Sequence, residues 1–270
     1  MSSMPNSQSD ATVPSLQQAK ARAFILRHVA IYALSNPPPA LSAQVFARWS
    51  VAEQTAARRE AAVEGEAFWA KLGPLRLQLS PREEQFARTN MATMTEAHRV
   101  AACWRAEALQ TLLWALGVVT GIPPYDTATG DAPIKALSGA EFDEALASAE
   151  LRPPAELAAA RGTAELWLWR ARTRQIIEEG KPFPQSAQLL KAGLKSYDDI
   201  VRVTAKLALK RGTVREIIDE DFAILGKAYR SASTEEYTLA RSIATERLFT
   251  LNWLCGRAPE GRWDETPTDT

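Results

Sequence analysis

The chain has 270 residues, 46% of them hydrophobic and 24% charged, which are ordinary values for a globular protein that buries a full-sized core. Thirty-two basic residues balance thirty-two acidic ones. The chain therefore has no global field that attracts nucleic acid or an anionic membrane, and neither is expected as a partner. Cys103 and Cys255 lie far apart in the sequence, so we expect a reduced, cytoplasmic protein.

The N-terminus, "MSSMPNSQSDATVPS", has neither the charged start nor the apolar centre of a secretion signal. We interpret residues 1–15 as a disordered leader. The longest apolar run, near residues 21–34, is interrupted by Arg27 and His28 and is too short to span a bilayer. Residues 16–270 show no internal repeat and no long linker, so a single compact multi-helix domain is expected.

A serine or threonine followed three residues later by an acid predicts a helix start, because each side chain binds the other's backbone N–H. The pairs are Ser50/Glu53, Ser80/Glu83, Ser138/Glu141, Thr213/Glu216 and Ser233/Glu236. Proline and glycine clusters separate the helices, and the whole pattern predicts an all-α fold. The predicted helices span residues 16–34, 50–72, 81–90, 95–118, 139–149, 154–179, 196–211, 214–230 and 234–256. At most one short strand is expected, over Leu75–Leu79.

The run "CWRAEALQTLLWALGVV", residues 103–119, places two charges in a segment otherwise suited to a protein core. On a helical wheel this helix is apolar around most of its circumference, which is typical of a central helix in a bundle. Arg105 and Glu107 therefore lie on apolar surfaces. Because an unpaired buried charge is costly, we expect both to be mostly buried and to have partners.

The segment "ATERLFTLNWLCG", residues 244–256, has the same character. Its Glu246 and Arg247 lie on an apolar helix surface and carry charges opposite to those above. We therefore predict at least one ion pair that joins Arg105 or Glu107 to Glu246 or Arg247.

These charges support two hypotheses. A structural ion-pair network that fixes helix register is favoured, because charges in cores are commonly structural. The alternative is a polar pocket in which carboxylates act as acid or base and arginines bind an anion. The candidate residues are Trp104, Arg105, Glu107, Trp114, Glu165, Arg170, Glu246, Arg247, Asn252, Trp253, Trp263, Asp264 and Asp269.

The C-terminal segment "GRWDETPTDT" is expected to dock on the protein. An exposed indole in a loose tail gains nothing, so Trp263 is predicted to be substantially buried. Asp264 and Asp269 are then expected to cap helices or to pair with arginines.

Familiar catalytic and binding motifs are not apparent in the sequence. His28 and His98 have no metal-ligand spacing, so no metal and no cofactor are expected. The sequence also shows no phosphate-binding glycine loop and no nucleophile elbow. Arg202, Lys206 and Lys210 form a basic stripe that we interpret as the solvated face of an amphipathic helix.

The runs "LSPREEQF", "WRAEALQTLLWALG", "ERLFTLNWLCG" and "WDETPTDT" resemble, in this order, a bacterial family of domains of unknown function, the one numbered four-two-seven-two. The resemblance extends from Leu16 to Thr270. It implies a cytoplasmic, mostly helical bacterial protein and supplies no activity. Members often have a histidine where this chain has Leu248, so any catalytic role of that histidine is missing here.

The function expected from the sequence is that of a non-catalytic helical protein that binds another protein, as an accessory or toxin-neutralising partner. The reasons are the lack of a catalytic constellation and the tryptophan-rich helices. The alternative is a small-ligand-binding protein or an enzyme built on the Arg/Glu/Trp cluster. A solvent-connected cavity lined by Arg105, Glu107 and Glu246 favours this alternative, and a closed network favours protein binding. The sequence leaves enzymatic activity and oligomeric state open.

Overall fold

The computed structural model describes residues 12–90 and 92–269. Helix dominates, which confirms the predicted all-α class. The α-helices are α1 (Leu16–Ser35), α2 (Pro39–Phe46), α3 (Val51–Ala70), α4 (Pro81–Ala87), α5 (Glu96–Ala115), α6 (Ala132–Lys135), α7 (Gly139–Ser148), α8 (Pro154–Glu178), α9 (Ala187–Lys191), α10 (Tyr197–Lys210) and α11 (Thr234–Leu254). Short 3-10 helices span Gly73–Gln78, Tyr229–Ser231 and Trp263–Glu265. Across the described ranges, none of the helices has the length and apolar content needed to cross a membrane.

The chain divides into two compact units. The first unit contains the residues up to Ile122, Thr129–Leu157 and Phe249–Pro267. The second unit contains Pro123–Ala128, Ala158–Leu248 and residues 268–269. The prediction that residues 16–270 form a single domain stays a prediction.

Most of the predicted helix starts are confirmed in atomic detail. Ser50, Ser80 and Ser138 each accept an N–H from the residue three positions later, whose carboxylate accepts the serine's own N–H. Ser233 and Glu236 make the same reciprocal pair. These caps satisfy amide groups that the first helical turn leaves without partners.

The helix predicted over residues 214–230 is wrong, and so is the expectation of at most one short strand, near Leu75–Leu79. The first segment forms a three-stranded antiparallel sheet, and the second lies in a 3-10 helix and its end. The strands are β1 (Ile217–Ile218), β2 (Asp221–Ile224) and β3 (Lys227–Ala228).

Two tight turns explain why residues 214–230 do not continue as a helix. Asp219 and Glu220 have φ of 48° and 62°, and Leu225 and Gly226 have φ of 49° and 74°. Two consecutive left-handed residues form the two-residue turn that matches the twist of a hairpin and that no α-helix accommodates. Asp219 and Gly226 are typical of such turns, whereas Glu220 and Leu225 are not. The spacing of Thr213 and Glu216 matches a helix cap although no helix follows.

The first unit is built around α1 and α5, which pack along each other. An aromatic core extends from α1 to α3 and α4, where Tyr32, Trp69 and Phe86 contact one another with ring centroids 5.2–6.1 Å apart. Trp69 is fully buried. This packing accounts for the apolar character of α5 that the sequence indicated.

The second unit has a separate aromatic core. Trp167 of α8 stacks on Tyr125, with ring centroids 5.3 Å apart and planes 9° from parallel. Its edge contacts Phe222 of β2, which is fully buried. Helix α10 packs on β1 and β2. Residues of the small sheet and of the helices therefore pack together in one core.

Residues 1–11 of the predicted leader lie outside the described residues. Residues 12–15 are described, and Ser15 caps α1. Val13 lies against the turn that follows α11, where a Cβ added to Gly256 would lie 2.9 Å from Val13 Cγ2 and 3.2 Å from Val13 N. The segment just before α1 is therefore packed against this turn.

We expect Gly256→Ala to destabilise the protein more than the matched change Gly180→Ala. Both glycines end a helix at positive φ, at 72° and 66°, so both variants have about 1–2 kcal/mol of left-handed strain. A Cβ at Gly180 meets nothing within 4 Å, whereas a Cβ at Gly256 meets Val13. Denaturant unfolding should show a larger loss for Gly256→Ala. Equal losses would contradict the packing of Val13 on this turn.

We also expect stability to fall in mild acid because of His28. Burial lowers the pKa of His28, and the charges of Arg27 and Lys71 act in the same direction, while a backbone hydrogen bond at Phe68 opposes them. The unfolded chain therefore takes up the proton first. The stability from neutral His28 is present above its ordinary pKa of 6.5 and is lost as the pH falls from there toward the folded pKa.

The measurement is the unfolding midpoint of the protein and of His28→Phe as the pH is lowered through this window. Phenylalanine keeps the ring contacts with Phe24 and Phe68, which lie 5.5 and 4.8 Å away between centroids, and removes the titration. His28→Phe should show a smaller dependence on pH. The same dependence in both proteins would show that His28 is not the responsible group.

Candidate functional site

Helix α2 has an inverted distribution of polar and apolar side chains. Its sequence is PALSAQVF, and its buried residue is Ser42, which is 6% exposed. Among the described residues the Ser42 hydroxyl has no hydrogen-bond partner. Leu41 and Val45, one helical turn apart, are 50% and 39% exposed. The helix therefore buries a polar group and exposes two of its large apolar ones, while Phe46 is half-buried.

Two further exposed apolar side chains lie at the corner between α2 and α3. Trp49 lies in the turn and Val51 begins α3, and both are exposed. Together with Leu41 and Val45 they form what we call the corner face. The ring of Trp49 contacts Phe46 edge-on, with centroids 5.1 Å apart.

The corner is held in a defined conformation. The side-chain amide of Gln54 donates to the carbonyl oxygens of Phe46 and Trp49, at 3.0 and 3.1 Å. The reciprocal cap of Ser50 and Glu53 starts α3 immediately after the turn. The exposed apolar side chains thus stand on a fixed backbone rather than on an extended loop.

A cluster of exposed apolar side chains has a different meaning from single exposed apolar side chains. Single apolar side chains are common on protein surfaces, but contiguous apolar patches mark binding sites. Sequence reasoning missed α2, because the proline cluster "NPPPALS", residues 36–42, indicates a break between helices. The signal that was available is a proline in the first turn, where no N–H is needed, followed by Leu41 and Val45 four residues apart.

Glu107 of α5 is buried, as predicted, with 2% of its surface exposed. Its Oε1 accepts the backbone N–H of Thr129, and its Oε2 accepts the Thr129 hydroxyl at 2.9 Å. Both carboxylate oxygens of this buried side chain therefore have hydrogen-bond partners. Arg105 is partly exposed, but most of its surface is buried, so the prediction that both charges are mostly buried is confirmed.

Arg247 of α11 is fully buried in the second unit. Its Nη1 donates to the carbonyl oxygens of Pro123 and Pro124 at 2.6 and 3.3 Å, and its Nη2 donates to that of Thr127 at 3.4 Å. The guanidinium lies over the Tyr125 ring, 4.8 Å from its centroid. The predicted ion pairs of Arg105 or Glu107 with Glu246 or Arg247 stay predictions.

Arg170 of α8 forms a buried salt bridge that the sequence did not indicate. Its Nε and Nη2 donate to the two carboxylate oxygens of Asp221 at 2.7 and 2.6 Å, and both side chains are at most 2% exposed. Asp221 also accepts the N–H groups of Phe222 and Arg230. The guanidinium lies 4.6 Å from the centroid of the Tyr229 ring, and burial raises the pKa of the Tyr229 phenol.

The C-terminal segment docks on the first unit, as predicted. Trp263 is 3% exposed and contacts Phe249 and Trp253, with ring centroids 4.8 and 5.1 Å apart. The Arg22 guanidinium lies over its ring at 5.1 Å. Asp264 accepts the backbone N–H of Arg82 at 2.9 Å, so this aspartate caps a helix as predicted.

The predicted site residues are divided between the two units. Those in the first unit are Trp104, Arg105, Glu107, Trp114, Asn252, Trp253, Trp263 and Asp264. Those in the second unit are Glu165, Arg170, Glu246, Arg247 and Asp269. Within the first unit, Arg105 and Asp264 line the same cavity, which Glu107 does not line.

Several of these residues have local structural roles. Asn252 donates to the Pro267 carbonyl oxygen at 2.7 Å, and the Trp253 indole donates to that of Gly261 at 3.0 Å. Glu165 binds Arg161 at 3.0 Å in a surface pair. Asp269 is exposed. In the part of the chain that the structure describes, no group of three or more histidine, cysteine, aspartate or glutamate side chains is arranged to hold a metal ion.

Comparison with known proteins places the chain in a family. Residues 3–188 match the profile of the domain of unknown function DUF4272. The chain belongs to the DUF4272 family. The match contains the runs "LSPREEQF" and "WRAEALQTLLWALG" and ends before "ERLFTLNWLCG" and "WDETPTDT", so the resemblance of these last two runs stays a prediction. Neither the curated proteins nor the solved structures gave a match.

We expect Arg247→Met to lower the free energy of unfolding by at least about 2 kcal/mol, because buried carbonyl groups at Pro123 and Pro124 lose their donor. The control is Lys206→Met in the same unit, where the charge pairs with Glu220 at the surface. This control should leave stability nearly unchanged. Urea unfolding of both variants provides the measurement, and similar losses would refute the structural role of Arg247.

Proposed function

We propose that this protein is a non-catalytic accessory protein that binds another protein through the corner face. The observation that carries the proposal is the inverted helix α2, which buries Ser42 and exposes Leu41 and Val45. A polar group buried without a hydrogen bond destabilises a fold by about 1–3 kcal/mol. Such violations of local design rules are expected where a surface is kept for function.

The shape of the corner face supports a partner with an apolar groove. Leu41 and Val45 project from one side of a helix at a spacing of four residues, which is the pattern of helices that insert into hydrophobic grooves. Trp49 adds a large, partly exposed indole, the side chain most enriched among residues that dominate binding energy. The Gln54 hydrogen bonds reduce the entropy lost on binding.

The buried charges also support a non-catalytic function. Glu107 and Arg247 bind backbone groups of the loop near residues 121–131 and are 2% and 0% exposed. Buried charges that bind backbone groups in this way support a structural role for Glu107 and Arg247. The proposal places the protein in the cytoplasm of a bacterium. The low cysteine content and the resemblance to the family support that placement.

The test is site-specific photo-crosslinking in the host cell, with a photoreactive residue at Leu41 and, as a matched control, at Val63. Val63 is 69% exposed on α3 and lies outside the corner face. We expect an adduct of one defined mass from Leu41 and none from Val63. With the captured partner purified, Val45→Glu should raise its Kd at least about tenfold, which corresponds to about 1.4 kcal/mol, while Val63→Glu should not.

Three outcomes would contradict the proposal. Equal adducts from Leu41 and Val63 would show that capture is nonspecific. An adduct with twice the mass of this chain would show that the face joins two copies of it. No adduct, or a partner that Val45→Glu still binds with unchanged Kd, would remove the corner face as the binding site. Unfolding of Val45→Glu, measured in parallel, should match that of the unmodified protein within about 0.5 kcal/mol.

A further inference from the structure

The first unit contains a cavity of about 230 Å³ between α1, α4, α5 and Asp264. Its apolar floor consists of Val29, Phe86 and Ala102, which are 2–6% exposed. Pockets for drug-sized ligands have volumes of roughly 300–1,000 Å³. This cavity therefore suits a smaller molecule with an apolar part.

One wall of the cavity is rich in groups that bind anions. His98 and Arg105 lie seven residues apart on one face of α5, and Arg82 comes from α4. The Arg105 guanidinium lies over the Phe249 ring at 5.4 Å. A guanidinium carries five N–H donors, enough to serve a ligand together with partners in the protein. Arginine is also the side chain best suited to a carboxylate.

The cavity also contains two carboxylates. Asp264 is held by the Arg82 backbone N–H. Glu83 is 4% exposed, and its Oε2 accepts from Arg22 and from the Ser80 N–H. Its other oxygen, Oε1, is buried and has no hydrogen-bond partner within residues 12–90 and 92–269. A buried acceptor without a donor is rare in folded proteins and is expected to have one supplied.

We propose that this cavity binds a small zwitterion of the amino-acid class. Its carboxylate binds Arg82, His98 and Arg105, and its ammonium group binds Glu83 and Asp264. The apolar floor takes a short aliphatic side chain. The arrangement of cations, carboxylates and apolar residues matches the three parts of such a molecule. The cavity is lined by residues other than those of the corner face, so this proposal is independent of the proposed function.

The probes are L-valine, isovalerate and isobutylamine, measured with the full chain by saturation-transfer NMR and calorimetry. Isovalerate has the carboxylate and the aliphatic part without the amine, and isobutylamine has the amine without the carboxylate. L-valine should bind at concentrations of about 10 mM or below. Each truncated probe should bind at least about tenfold more weakly, because it loses one set of charge-assisted hydrogen bonds.

Variants locate the binding in the cavity. Ala101 lines the cavity and is exposed on α5, so Ala101→Leu should fill it and abolish binding of L-valine. Ala97→Leu is the matched control, since Ala97 is an exposed alanine of the same helix outside the lining, and should bind normally. Asp264→Asn retains an acceptor for the Arg82 N–H and should weaken L-valine more than isovalerate.

Each result decides the proposal. No binding of L-valine at about 10 mM would overturn it. Binding that Ala101→Leu leaves unchanged would show that the ligand occupies another place. Equal binding of isovalerate and L-valine would show a simple anion site and overturn the zwitterion class. Melting temperatures of Ala101→Leu and Ala97→Leu, measured in the absence of probe, distinguish loss of binding from loss of folding.

Discussion

The fold depends on hydrogen-bond partners for the backbone groups of a proline-containing loop in an otherwise helical protein. The segment from Gly121 to Asp131 belongs to no long helix, and Pro123 and Pro124 have no N–H to offer. Buried backbone groups must nevertheless have partners. A buried arginine supplies donors only and a buried carboxylate supplies acceptors only. The arginine therefore serves carbonyl groups of the loop, and the carboxylate serves its donor groups.

Residues of this loop make further contacts within each unit. In the second unit, Arg247 fixes the carbonyl groups, which sets Tyr125 against Trp167, and Asp126 accepts the N–H of Leu225 in a hairpin turn at 2.9 Å. In the first unit, Glu107 fixes Thr129. The cost of burying two charges is thereby offset by backbone groups that would otherwise be unsatisfied.

The sequence predicted most of the helices because their signals are local. A reciprocal cap such as Ser80 with Glu83 needs only four residues, and the apolar circumference of α5 needs one helix. Burial of Trp263 followed from the size of the indole. The sequence did not predict the small sheet because its turns place Glu220 and Leu225 at positive φ, where neither residue type is typical.

The candidate sites were harder to predict because they depend on contacts distant in sequence. Asp221 lies 51 residues from its partner Arg170, and no spacing rule joins them. The corner face was not predicted from the sequence for a different reason. Hydrophobic periodicity identifies apolar side chains but assumes that they face the core. Only the structure shows that α2 turns Leu41 and Val45 outward and Ser42 inward.

Arg105 and Glu107 show why a structural hypothesis and a binding hypothesis need not exclude each other. Residues two apart on a helix are separated by about 200° and point to nearly opposite sides. Glu107 is accordingly sealed against Thr129, whereas Arg105 is partly exposed and lines the cavity beside Asp264. One short run of sequence thus places a buried carboxylate on one side of α5 and an arginine that lines a cavity on the other. Whether a buried charge is structural or binds a ligand is therefore decided for each residue separately and not for the cluster as a whole.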